Sequence, residues 1–193
     1  IRLYENIRQR INRFIVENEY EVFYTISAGI MEFKSVVNHT YYNLMKLSEF
    51  SLNEAKDNGK NKYYLYTRAD YHVFTHKKKL TKIMRNAVNH NFEGFSANFQ
   101  PVMDIKQGKL IGAETLMRFW CEEKGNVTPY EFVPLLEDSG LIIPVGIWVI
   151  EQAVKACSRI QKTIPNFRVS VNLSHIQVLK SNVLSEIIAI VDR

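Results

Sequence analysis

Over residues 3–16 the apolar positions Leu3, Ile7, Ile11, Phe14 and Ile15 recur at spacings of three and four with Arg and Asn between them, a period that predicts an amphipathic helix. Residues 23–31 (FYTISAGIM) are rich in β-branched and aromatic types and predict a strand. Helical spacing returns over 41–56 through Leu44, Leu47 and Leu52. Asp57-Asn58-Gly59 supplies its stop, since Asn and Gly tolerate the left-handed backbone that ends helices. A short strand follows at 62–67 (KYYLYT). Residues 68–95 then form a basic amphipathic connector, with Leu80, Ile83, Met84 and Val88 on one face and Lys77, Lys78, Lys79, Lys82 and Arg85 around the rest.

The second half changes rhythm. Strands are predicted at 95–105 and 110–120, separated by Lys106-Gln107-Gly108-Lys109, a hairpin-length turn containing Gly. Thr128 stands as N-cap and Pro129 as first residue of a helix closed by Ser139-Gly140. A longer helix is predicted over 144–162, a strand over 167–173, and helical segments from there to the end. Strand, strand, helix, helix, strand, helix favours an α/β sheet or barrel over an all-α or all-β fold.

Of the 193 residues 46% are hydrophobic and 23% charged, enough apolar material for a core and too much for a disordered tail. Charge separates the halves: residues 1–90 carry 15 Lys and Arg against 9 Asp and Glu, and residues 91–193 carry 10 against 11. This asymmetry favours two domains. Cys121 and Cys157 have neither the number nor the spacing for a disulfide framework or a structural zinc site, so a reducing, cytoplasmic setting is expected. No apolar run approaches the roughly 18 residues of a membrane-spanning helix. The chain opens at Ile1 inside a helical pattern and is expected to be a piece of something longer, whose parent is membrane-tethered upstream if tethered at all.

Alternate residues of a strand share a face, so Gly112, Glu114, Leu116 and Arg118 point one way and Ala113, Thr115, Met117 and Phe119 the other. A structural ion pair would account for the carboxylate and guanidinium on that strand. The strand at 167–173 likewise puts Val169, Val171 and Leu173 opposite Ser170, Asn172 and Ser174, which a half-solvated strand would also explain. Taken together with Gln100, however, the set is two amides, a carboxylate and a guanidinium near strand ends of one α/β unit. Carboxylate and amide oxygens suit Mg²⁺ or Mn²⁺ and a guanidinium suits phosphate, which suggests metal-assisted phosphoester chemistry.

At these residues a family resemblance becomes specific. FQPVMDIKQGKLIGAETLMRFW (99–120) resembles the opening of EAL domains, the cyclic-di-GMP phosphodiesterases, with Glu114-Thr115-Leu116 in place of their Glu-Ala-Leu. PYEFVPLLEDSGLI (129–142) is similar to the family's P-x-x-F-I-P-x-A-E-x-x-G-L-I stretch, and Val171-Asn172-Leu173-Ser174 to its V-N-L-S strand. The resemblance implies a modified (β/α)₈ barrel with its site at the C-terminal strand ends. It implies that Glu114 and Asn172 are catalytic metal ligands for Mg²⁺ or Mn²⁺, and that Gln100, Leu116 and Arg118 contact the cyclic dinucleotide. Thr115 departs from the family's Ala and points away from Glu114, so a packing change is expected there.

The first half resembles the C-terminal half of a GGDEF domain, a nucleotide-cyclase-like α/β fold. Ser27-Ala28-Gly29-Ile30 is similar to its S-x-G-I strand, and residues 48–62 (SEFSLNEAKDNGKNK) to its A-D-x-A-L-Y-x-A-K-x-x-G-x-N helix and turn, with Glu49 and Asn53 departing. The implied organisation is a GGDEF-like portion at 1–70, a basic connector helix at 71–94 and the N-terminal portion of an EAL domain at 95–193. A barrel of this class takes about 250 residues, so later acidic ligands and a lysine would lie beyond Arg193. The chain alone is therefore expected to lack phosphodiesterase activity and to self-associate through Val169, Val171, Leu173 and the surfaces around Trp148 and Val149. A non-catalytic cyclic-di-GMP receptor is the alternative. Binding of duplex nucleic acid through Lys77–Lys79 is not expected, because a single Lys cluster on a helix is ordinarily a solvated face.

Overall fold

The first periodic run becomes α1 (Arg2–Glu17) in the computed structural model of the protein, which describes residues 1–192. The chain is mixed α/β and divides into two units, residues 1–76 and 77–193.

In the first unit α1 is followed by β1 (Ala28–Ile30), a 3₁₀ turn at Phe33–Ser35, α2 (Tyr41–Asp57), β2 (Tyr63–Leu65) and the opening turns of α3 (Arg68–Asn89). β1 and β2 pair in parallel, Ala28 opposite Tyr63 and Ile30 opposite Leu65. The strand predicted over 23–31 shrinks to three residues because β2 offers a ladder only that long. Gly29 lets β1 press on α2, since a Cβ there would lie 2.4 Å from the Leu52 nitrogen. Leu47, Phe50 and Ala55 of α2 are buried, and the Phe50 ring meets Tyr64, Tyr71 and Phe74. α2 stops where expected, at Asn58 followed by Gly59 with φ 103°.

The loop into α3 carries a small polar knot. Thr67 and Tyr64 both donate hydrogen bonds to the Asp70 carboxylate, Tyr64 at 2.7 Å, while the Asp70 amide donates back to Thr67 Oγ1 at 3.1 Å. The bonds from Thr67 and then Tyr64 hold the Asp70 carboxyl below its usual range. Burial, followed by the Asp70 hydrogen bond, pushes the Tyr64 hydroxyl up to about 12.

The second unit is organised on a long strand, β4 (Lys109–Cys121). β3 (Phe95–Asp104) runs antiparallel along one edge, from Phe95 opposite Phe119 to Asp104 opposite Lys109, with an irregularity between Val102 and Met103. Along the other edge lie β6 (Arg168–Val171), parallel, and then β5 (Gly125–Val127), antiparallel, a three-residue strand not anticipated from the sequence. Phe119, Phe132, Leu136 and Val145 are almost fully buried where α4 (Pro129–Asp138) and α5 (Ile142–Gln161) meet the sheet, and Leu80 and Met84 of α3 join them. α6 (His175–Lys180) and α7 (Val183–Val191) complete the unit.

Three expectations change on contact with the fold. Thr128 occupies the N-cap of α4 with extended backbone, but its side chain makes no capping bond. α5 begins two residues before Pro144, at Ile142; a proline in the first turn displaces no helical hydrogen bond. Of the five residues expected to be left partly exposed, Val149 alone is buried, at 5% exposed; Val169, Val171 and Trp148 are half-buried, Trp148 stacking on Phe92 at 5.4 Å, and Leu173 is exposed. The Val171 face of β6 is thus the one turned to the helices, and the open face carries the polar residues. Among the described residues no helix is long and apolar enough to cross a membrane.

Candidate functional site

Register places the polar residues. Gln100 of β3 lies opposite Glu114 of β4, and Glu114 lies opposite Ser170 of β6, so the three form one row across the sheet. Opposed residues share a face, and alternation brings Asn172, two beyond Ser170, onto it. Its Nδ2 donates to Glu114 Oε1 at 2.8 Å, a contact between positions 58 apart in sequence. β6 comes this near because of Gly112, where a Cβ would stand 2.7 Å from the Arg168 carbonyl oxygen.

Leu116 and Arg118 continue the Glu114 face towards the C-terminal end of β4, opposite Asn98 and Ser96. Arg118 Nη1 donates to the Met117 carbonyl at 2.9 Å, so the partner of the Glu114 carboxylate is Asn172 and not this guanidinium. Where β4 and β6 end, a cleft of about 230 Å³ opens, its polar lining including Arg118, Glu137, Asn172 and Gln177 and its apolar lining including Leu116 and Val149. Gln100 flanks Glu114 from the far edge, and neither of the two lines the cleft. Thr115 points away from Glu114, as expected, and is 2% exposed; its hydroxyl has no hydrogen-bond partner.

Two residues not singled out from the sequence hold this end of the sheet. The segment leaving β6 is gripped at Ser174, whose hydroxyl donates to Glu137 Oε1 at 2.7 Å and whose backbone N–H donates to Gln177 Oε1 at 3.0 Å. Ser174 also caps α6 through Ile176, completing a capping box with Gln177. The S-x-x-Q spacing from Ser174 to Gln177 was the readable signal for Gln177, and Glu137 was marked by standing at the Glu of the family stretch matched at 129–142.

The donors present fit a hard divalent cation. With Asn172 Nδ2 turned to Glu114 Oε1, the second carboxylate oxygen and the amide oxygen remain, and hard cations take such ligands. Among the described residues no group of three His, Cys, Asp or Glu that could hold a metal ion is gathered around them.

Comparison with known proteins gives the same direction. The EAL domain family matches residues 82–193. The chain is 26% identical over 189 residues to the bifunctional diguanylate cyclase/cyclic di-GMP phosphodiesterase MucR of Pseudomonas aeruginosa, a match covering 96% of this chain and 27% of that protein. A solved structure of the PaMucR phosphodiesterase in complex with c-di-GMP is 27% identical, with a TM-score of 0.54 over 60% of this chain and 46% of that one. The cGMP-bound form of the EAL enzyme Bd1971 shares the fold at a TM-score of 0.58 and 22% identity, covering 80% of this chain and 40% of that one. The chain spans between 14 and 27% of the length of the curated relatives it matches. Matched by the family over more than half its length, the chain belongs to the EAL domain family.

Proposed function

We propose that this chain is the GGDEF-to-EAL junction of a cyclic-di-GMP signalling protein, with a GGDEF-like portion at 1–70, a connector at 71–94 and EAL elements from 95 onward. The reading rests above all on the Glu114–Asn172 contact, which joins a carboxylate and an amide from two separate family motifs at one point on the sheet. Glu114 and Asn172 hold Mg²⁺ or Mn²⁺; Gln100, Leu116 and Arg118 receive the dinucleotide. When bound, the ion supplies an activated water and polarises phosphoryl oxygens. Glu114 contributes the negative charge, and Asn172 fixes which oxygen of that carboxylate faces outward. Arg118 neutralises a phosphate, and Leu116 gives the ligand an apolar rest. In this reading the complete protein hydrolyses cyclic-di-GMP to the linear dinucleotide.

A receptor that binds without cleaving is the second reading. Both readings require binding, and calorimetric titration of the chain with cyclic-di-GMP in the presence of Mn²⁺ tests it. Saturable binding that is lost in Glu114→Gln is the expected result. Absence of binding by the unaltered chain, with and without Mn²⁺, refutes both. Hydrolysis of the dinucleotide by the complete protein separates enzyme from receptor.

A further inference from the structure

Glu137 occupies a place that helix physics disfavours. It lies in the last turn of α4, where the helix presents its negative end and a carboxylate is repelled. Gln177 is stranger: its amide side chain is 1% exposed, and α5 makes room for it with a glycine, since a Cβ on Gly146 would fall 2.1 Å from Gln177 Nε2. That nitrogen is buried without a hydrogen-bond partner among the described residues. An unfavourable carboxylate, a buried amide with one group unsatisfied and a glycine inside a helix are local compromises of three kinds, and local compromises concentrate where a site needs them.

The carboxylate and the amide converge on one residue, and the glycine makes room for the amide. Ser174 gives its hydroxyl proton to Glu137, takes the Ile176 amide on the same oxygen, and gives its backbone N–H to Gln177. Ser174 is two residues beyond Asn172 and begins α6, while Val171 on the other side is locked opposite Thr115. The short segment carrying Asn172 is therefore fastened at both ends, on the sheet by register and on the helices by Glu137 and Gln177. Asn172 itself is exposed, with its described side-chain bond made to Glu114. Its orientation is inherited from its neighbours.

We propose that Glu137 and Gln177 are positioning residues that act through Ser174, holding Asn172 against Glu114 so that their remaining oxygens face one ligand. Both line the cleft beside Asn172, and their described side-chain bonds are made to Ser174. The inference rests on the reading of Glu114 and Asn172 as the metal-binding pair, but its structural half, that Glu137 and Gln177 set the Asn172–Glu114 contact, stands apart from metal.

The test follows the Asn172 side-chain amide by NMR in the full chain, its resonance identified by loss in Asn172→Asp, alongside Mn²⁺ affinity measured with the metal alone. In Glu137→Ala the amide should shift to its solvent-exposed position and exchange faster, and Mn²⁺ affinity should fall about 10- to 100-fold, the range for removing a group that orients a ligand. Glu137→Gln keeps an acceptor for Ser174 and should restore both. Ser174→Ala removes the same bond without altering α4, and covers the case in which Glu137→Ala fails to fold. An unchanged Asn172 amide in Glu137→Ala or Ser174→Ala overturns the proposal, as does a Glu137→Gln chain that behaves like Glu137→Ala. If the unaltered chain binds no Mn²⁺ while the amide responds as described, the metal reading fails and the positioning stands.

Discussion

Asn172 and Glu114 meet at 2.8 Å, the amide nitrogen of one donating to the carboxylate of the other from an adjacent parallel strand. The pair is partly open to water, so its coupling should be modest, about 1 kcal/mol. A double-mutant cycle on Glu114→Ala and Asn172→Ala, read by urea denaturation, measures it, and additive single effects would show that the contact carries no energy.

Gly112→Ala should act on the site from behind. Its methyl would meet the Arg168 carbonyl at 2.7 Å and force β6 away from β4. A loss of about 1–3 kcal/mol in stability is expected from such overpacking. The more telling measurement is the Asn172 side-chain amide, which should lose its hydrogen-bonded character in the same variant.

Arg118→Ala should weaken cyclic-di-GMP binding by about 1.5–3 kcal/mol, the range for a hydrogen bond to a charged group. Mn²⁺ affinity should stay unchanged, since Arg118 bonds to the Met117 carbonyl and not to Glu114. Calorimetry with each ligand alone distinguishes the two effects.

Thr115→Val should stabilise the protein. The Thr115 hydroxyl is buried and unpartnered, and an unsatisfied polar group of this kind costs about 1–3 kcal/mol. Replacing it with a methyl of similar shape removes the penalty, and the denaturation midpoint should rise.

The Asp70 knot predicts opposite signs at the two ends of the pH scale. Its carboxyl is held low by hydrogen bonds from Thr67 and Tyr64, so the stability it lends is present above the ordinary carboxylate range and lost as pH falls through the depressed value. Asp70→Asn should therefore flatten the acid limb of a stability profile. Tyr64, raised to about 12, lends stability that is complete below the ordinary phenol value of about 10 and fades as pH climbs towards 12. In Asp70→Asn its tyrosinate absorbance should develop at lower pH.

Alternation along 110–120 and 167–173 was enough to put Glu114 on one strand face and Asn172 on another, because a period of two depends only on the strand being a strand. That the two faces are the same face depends on register between β4 and β6, which no local pattern encodes. Glu137 was legible as the Glu of the stretch at 129–142, but its bond to Ser174 joins positions 37 apart, which no local pattern encodes. The apolar faces of 144–162 and 167–173 were legible as apolar, but how far they would be covered was a matter of packing: Val149 is buried in the core and Val171 packs half-buried against it. The long strand expected over 23–31 failed differently, since β-propensity without a partner of equal length does not make a ladder.

β3 enters the sheet running opposite to β4, and this puts the chain's point of arrival and its polar machinery at one end. Phe95 is opposite Phe119, and the next residue, Ser96, is opposite Arg118; only four residues later does Gln100 come level with Glu114. The approach is a stiff bend, with Asn91 and Phe92 in left-handed backbone and Gly94 admitting the Trp120 carbonyl where a Cβ would stand 2.3 Å away. Counted along the ladder from that bend, the arginine therefore stands four positions nearer to the chain's entry than the carboxylate does.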